Sequence, residues 1–291
     1  MLSKLTPNEL NNVLPLFQSK PKFALFFNAV KFELEKRIPD HPCDFYCLES
    51  EGTKYFYVFR HDNIPDICRP ILMIGSDGIV NESEVISGLE QLKILEPDLG
   101  TIELLVAPFE ISTAARSFFK THFNRSEDYN VPCNHFYLPD SVYPKIQKKV
   151  DEISLPESFS IGSTRVSDAE IVNSTWKFAT PETVLQIKEI LERQPTACIL
   201  HGDKPVAFEM IGLHGQLNHQ YTFPEYRNRG FGTMIENTIV VKCFRDGIQV
   251  AKAVELSNTE VLKKSLNHKN WKVVREDNDE IIVFHYTQYH Y

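Results

Sequence analysis

The chain has 291 residues, 42% of them apolar and 24% charged, with a formal net charge of −8. That length fits about two domains, each large enough to bury its own core. The acidic balance argues against nucleic acid as a partner, since phosphate contacts dominate that affinity, and no apolar run approaches a membrane span.

Residues 1–10 read as neither a secretory signal nor an arginine-rich presequence. Six cysteines are scattered without a C-x-x-C pair, so neither a disulfide frame nor a metal site is expected and a reducing compartment fits. Leu10, Val13, Leu14 and Phe17, then Phe23, Phe26, Phe27, Val30 and Leu34, predict two amphipathic helices. Strands follow at 43–48, 55–61 and 71–75, a helix at 82–95, a strand at 102–107, a helix at 111–122 and a strand at 134–138. Pro139, Pro144 and Pro156 punctuate a charged stretch, and 141–156 is the expected linker between domains 1–140 and 157–291.

The second domain reads as a strand at 159–164, helices at 168–178 and 181–193, and strands at 197–201, 206–213 and 216–223. A helix, a strand at 248–256, a second helix and strands at 272–274 and 280–286 complete it. Both halves share the order helix, helix, three strands, helix, strand, helix, strand. The fold class is α/β (α+β), a mixed central sheet flanked by helices. The halves are either tandem copies or domains that share only their element order.

The strand–helix junction Tyr221-Thr-Phe-Pro-Glu-Tyr-Arg-Asn-Arg-Gly-Phe-Gly232 carries the chemistry. A helix start leaves amides without partners, and its dipole adds about half a positive charge. Glycines at Gly230 and Gly232 let those amides close around a phosphate, and Arg227 and Arg229 neutralise it. The bland alternative is a solvated basic turn. The following helix shows a stripe of Ile235, Ile239, Val240, Cys243 and Phe244, ends near Gly247, and leads to a strand and to Ser257-Asn258, a helix-capping pair.

Arg227-x-x-Gly230-x-Gly232 after Pro224-Glu225-Tyr226 resembles the acyl-CoA motif of the GCN5-related N-acetyltransferase (GNAT) superfamily, and Ser257-Asn258 its second segment. With Val172-Asn173-x-x-Trp176-x-Phe178 upstream, the likeness is strongest to glycine N-acyltransferases and covers about 157–270. The resemblance implies a GNAT fold and an acyl-CoA-dependent N-acyltransferase acting on a small amine such as glycine or another amino acid. A non-catalytic acyl-CoA binder and a protein or peptide N-acetyltransferase are the alternatives. Acyl-CoA would be the co-substrate, held by Arg227, Asn228, Arg229, Gly230, Phe231, Gly232 and Thr233. By the same likeness, the main chain near Gln220, Thr222 and Phe223 would stabilise the oxyanion. Asn258 would touch the pantetheine or adenosine part, or simply cap its helix.

The equivalent place in the first half, 75–83, carries Asp77 and Glu82 and no arginine, so that half is expected to be degenerate. The family's basic glutamate corresponds to Gln216, which cannot take a proton, and its leaving-group tyrosine to Leu266, beside Ser265. If His214-Gly215 form a two-residue turn, Leu213 pairs with Gln216, Ile211 with Asn218 and Glu209 with Gln220. Glu209 then shares the face of the missing base and is the candidate substitute, against a plain surface glutamate. His219 is expected to be packed and His214 a turn residue. The family points to mitochondria, but the N-terminus shows no targeting pattern and a cytoplasmic location is expected.

Overall fold

The computed structural model describes residues 1–64, 70–177 and 179–289. In chain order these form β1 (Ser3–Lys4), α1 (Pro7–Ser19), α2 (Ala24–Leu34), β2 (Cys43–Ser50), β3 (Thr53–Arg60), β4 (Ile71–Ser76), α3 (Glu82–Leu95), β5 (Leu104–Pro108), α4 (Phe109–Phe123) and β6 (Tyr129–Tyr137). Then come α5 (Tyr143–Asp151), β7 (Phe159–Gly162), α6 (Ala169–Ser174), α7 (Thr183–Arg193), β8 (Thr196–His201), β9 (Lys204–Ile211), β10 (Leu217–Thr222) and α8 (Phe231–Arg245). β11 (Ala251–Glu255), α9 (Thr259–Leu266), β12 (Lys272–Val273) and β13 (Val283–Gln288) close the chain. Among the described residues no helix is long and apolar enough to cross a membrane.

Two compact units result. The first holds Met1–Phe136, Ala253–Asn267 and the described residues from Val273 on; the second holds Tyr137–Lys252 and His268–Lys272. The boundaries expected at 140 and 157 are therefore not those of the units. The expected linker contains α5, whose Tyr143 ring lies 5.2 Å from Phe244 and whose Gln147 accepts from Arg245 at 2.9 Å. Three prolines were misleading because Pro144 sits in the first turn of α5, where its missing N–H costs no bond.

The first unit's sheet runs β1-β2-β3-β4-β5-β13-β6, with only β4–β5 parallel. β13 lies between two early strands, pairing Phe284 with Pro108 on one side and with Cys133 on the other. Thr6 and Glu9 form a capping box that starts α1. Phe17, Phe23 and Phe56 then pack with ring centroids 4.8 to 5.7 Å apart. A second cluster joins Val85, Leu89 and Leu92 of α3 and Phe118 and Phe119 of α4 to Tyr57, Leu72 and Leu105. Each fully buried side chain of this size contributes roughly 1.5–3 kcal/mol. Gly88 is required there, because a Cβ would stand 2.0 Å from the Tyr57 hydroxyl.

In the second unit the order is β7-β8-β9-β10, antiparallel throughout, and β10 pairs in parallel with the start of β11 at Leu217 and Lys252. The helix expected at 168–178 is shorter, since α6 ends at Ser174; Phe178 lies outside the described residues.

Candidate active site

The basic junction is where the sequence placed it. Residues Pro224–Tyr226 make a short 3-10 turn, Asn228 takes φ +61, and Gly230 at φ +78 precedes the first turn of α8. No side chain caps this helix. Met234 is the first amide to find a helix carbonyl, that of Gly230 at 3.1 Å. The amides of Phe231, Gly232 and Thr233 precede it and have no intrahelical acceptor. A Cβ on Gly230 would meet nothing nearer than 3.9 Å, and one on Gly232 nothing nearer than 3.6 Å. The protein's own packing therefore does not demand Gly232; bare backbone there suits an anion that approaches closely.

Both arginines are exposed and anchored. Arg227 Nε donates to the Thr222 carbonyl at 3.0 Å, and Arg229 donates to the Glu225 carbonyl at 3.3 Å. The Arg229 guanidinium also lies over Tyr226 and Phe159, at 5.5 and 5.9 Å. The charges are held by the loop yet balanced by no carboxylate in these bonds. By contrast, the equivalent helix start in the first unit is filled: Asn81 Oδ1 accepts from the Ser83 amide at 3.0 Å.

The β9–β10 register is not the one expected. Gly212 N donates to the Gln216 carbonyl, closing a three-residue turn around Gly215 at φ +75. Ile211 consequently pairs with Leu217 and not with Asn218. Gln216 lies in the turn, outside β10. Between Asn218 and Tyr221 the ladder slips by one residue, and His219 sits in that bulge at φ +54. The slip restores the offset beyond it, so Gln220 meets Glu209 after all, donating to Oε2 at 3.1 Å.

Glu209 is 4% exposed, so the surface alternative fails. Burial, then the neighbouring Glu236 charge, holds its carboxyl well above the usual range; the Gln220 bond and Lys252 oppose that shift. Glu236 is itself held by Lys252 at 3.4 Å and Trp271 Nε1 at 3.0 Å, with the Lys252 ammonium 4.2 Å from the Trp271 ring. These three partners escaped the sequence reading. The available signal was a carboxylate beside Ile235 in an apolar helix and a lysine between Ala251 and Ala253.

Other expected residues divide. The Phe223 amide donates to the Val206 carbonyl at 3.0 Å, which removes it as a free oxyanion donor. Asn258, in the first unit, accepts from Val261 N at 3.4 Å and caps α9. Leu266 is half exposed and Ser265 buried. His219 is packed, as expected, with Phe208 and Trp176 at 5.6 and 6.0 Å. In the first unit Asp44, His61 and Glu96 place ligand atoms within 4.8 Å of one another, and Lys4 lies 2.6 Å from Asp44.

No family model matches the chain. Over 124 residues it is 28% identical to human glycine N-acyltransferase, a match that covers 42% of each protein, so the chain spans less than half the length of that curated relative. The X-ray structure of a Drosophila protein superposes on 99% of this chain and 98% of its own, with a TM-score of 0.73 at 15% identity. The chain shares the fold of that structure, and part of it is similar in sequence to glycine N-acyltransferase. A tandem GNAT protein from the clavulanic acid biosynthesis pathway covers 99% of this chain and 98% of its own more loosely, at a TM-score of 0.49 and 12% identity. In the second unit, β10 and α8 bring Gln220, Thr222 and residues 227–233 together with Glu209.

Proposed function

We propose that the protein is an acyl-CoA-dependent N-acyltransferase that acylates the amino group of a small molecule, such as glycine or another amino acid. One observation carries this reading: an uncapped helix start whose amides at Phe231, Gly232 and Thr233 have no intrahelical acceptor among the described residues, flanked by Arg227 and Arg229. That site fits the pyrophosphate of coenzyme A. Asn228 and Gly230 shape the turn. The thioester would supply the activated acyl group. The amides of Gln220 and Thr222 stand on the strand that leads into the loop and would receive the developing oxyanion.

Glu209 is the proposed base, since a carboxylate with a raised pKa takes up the amine proton more readily than an ordinary carboxylate does. It replaces a glutamate absent from Gln216. The first unit is a degenerate GNAT-like partner, a reading supported by Asn81 filling its helix start. The compartment we assign is the cytoplasm.

Incubation with acetyl-, benzoyl- and longer acyl-CoAs and an amino-acid panel, following free thiol, tests the proposal. Thiol release that requires one amine class is expected. Gln216 and Leu266, at the places of both family proton carriers, favour a second reading as a non-catalytic acyl-CoA binder. Thermal stabilisation by thioesters without turnover would select it. Turnover with peptides or proteins alone would overturn the small-molecule acceptor.

A further inference from the structure

His219 combines three features that packing alone does not call for. It occupies the β10 bulge at φ +54, a left-handed conformation that a non-glycine residue seldom adopts. Its Nε2 lies 2.9 Å from Thr175 Oγ1. Its Nδ1 is buried and has no hydrogen-bond partner among the described residues.

The hydrogen-bond pattern fixes the tautomer. The Thr175 hydroxyl has one proton, and it goes to the Val172 carbonyl at 2.8 Å, because a carbonyl can only accept. Toward His219 the hydroxyl must therefore accept, so Nε2 carries the ring proton. Nδ1 is left with a bare lone pair in a buried setting. Burial also pushes the imidazole down to about 4, so the ring is neutral at physiological pH and does not repel a cationic amine. Strained backbone and an unmet buried acceptor in one residue point to a role outside the fold. His219 stands next to Gln220, whose amide reaches the Gly232 carbonyl at 3.3 Å in the first turn of α8.

We propose that His219 Nδ1 accepts a hydrogen bond from an N–H of the acyl acceptor, an uncharged or ammonium amino group, and orients its nitrogen for attack. This rests on the acyltransferase reading above. No proton is transferred to His219; it positions the amine, and the base takes the proton. The Trp176 and Phe208 rings flank it and favour an acceptor with a small apolar body.

Two substitutions separate the nitrogens. His219→Asn places an amide oxygen near Nδ1 and tolerates the positive φ, whereas His219→Gln keeps a donor near Nε2 and loses the Nδ1 acceptor. His219→Gln is expected to raise KM for the amine about tenfold or more, leaving KM for acyl-CoA and the melting-temperature shift given by acyl-CoA unchanged; His219→Asn restores most of the amine affinity. Equal amine KM in wild type and His219→Gln would overturn the proposal. Nitrogen-15 NMR of the histidine rings gives a readout independent of turnover. Nδ1 should be the unprotonated nitrogen and should shift when glycine or another amine substrate is added to the CoA-bound protein. A proton on Nδ1, or no shift on amine binding, would overturn it too. Wild-type protein that binds acyl-CoA but transfers to no amine defeats the acyltransferase reading itself, a result distinct from a silent His219 in an active enzyme.

Discussion

Gln220 Nε2 stands 3.1 Å from Glu209 Oε2 and 3.3 Å from the Gly232 carbonyl, so one amide side chain ties a buried carboxyl to the first turn of α8. Replacing Glu209 by Gln keeps the shape and removes the proton acceptor. A fall in kcat of about 10²–10⁴ is expected. In the wild type, kcat/KM should rise with pH as the carboxyl ionises through its raised pKa, and this limb should vanish in the variant. An identical pH–rate profile in both would exclude Glu209 as the base.

The same carboxyl predicts a stability effect. Its folded-state pKa lies above the unfolded value, so the fold holds the proton more tightly than the unfolded chain does. That contribution is full below the ordinary carboxylate pKa and is lost as pH rises through the raised one. Glu209→Gln, which imitates the protonated carboxyl, should therefore gain on wild type as pH rises between those two pKa values, by on the order of 1 kcal/mol for each step of one in pH. Melting temperatures of both proteins from about pH 5 to about pH 9 check the sign; a difference independent of pH would refute it.

Gly230 holds φ +78 at the entrance to α8. An alanine there has room for its methyl group but must adopt the left-handed region, costing about 1 kcal/mol. Urea unfolding should show that modest loss. Acyl-CoA affinity should fall by more than the stability loss explains, because any relaxation of the turn re-aims the amides of Phe231 and Gly232.

Arg229→Ala should weaken acyl-CoA binding by about tenfold to a hundredfold, the range for one charged hydrogen bond. Arg227→Ala should do the same and also loosen the loop, since its Nε holds the Thr222 carbonyl. Both losses should shrink as salt rises, because screening already weakens the contact. Calorimetry with acetyl-CoA at low and high salt measures this. Unchanged heats in either variant would exclude that arginine from phosphate binding.

Much of the second unit was legible because its signals are local. The apolar stripe of α8, the glycines before it and the strand that feeds it lie within about thirty residues and obey helix and strand periods. The β9–β10 register was not legible. Nothing in the alternation announces that the turn at Gly215 holds one more residue than a tight hairpin, or that His219 bulges. Those two one-residue slips cancel, so the pairing of Glu209 with Gln220 was reached for an incomplete reason. The place of β13 escaped entirely. A strand's apolar pattern reports that its faces are buried, not which neighbours it joins, and the partners of Phe284 lie more than 150 residues away.

That distant pairing has a consequence for biosynthesis. Until residues 283–288 have left the ribosome, β5 and β6 lack the strand that stands between them, so the amino-terminal unit cannot be finished when its own sequence has emerged. During translation of everything in between, Leu104–Pro108 and Tyr129–Tyr137 present unpaired backbone and must be shielded from pairing with other nascent chains.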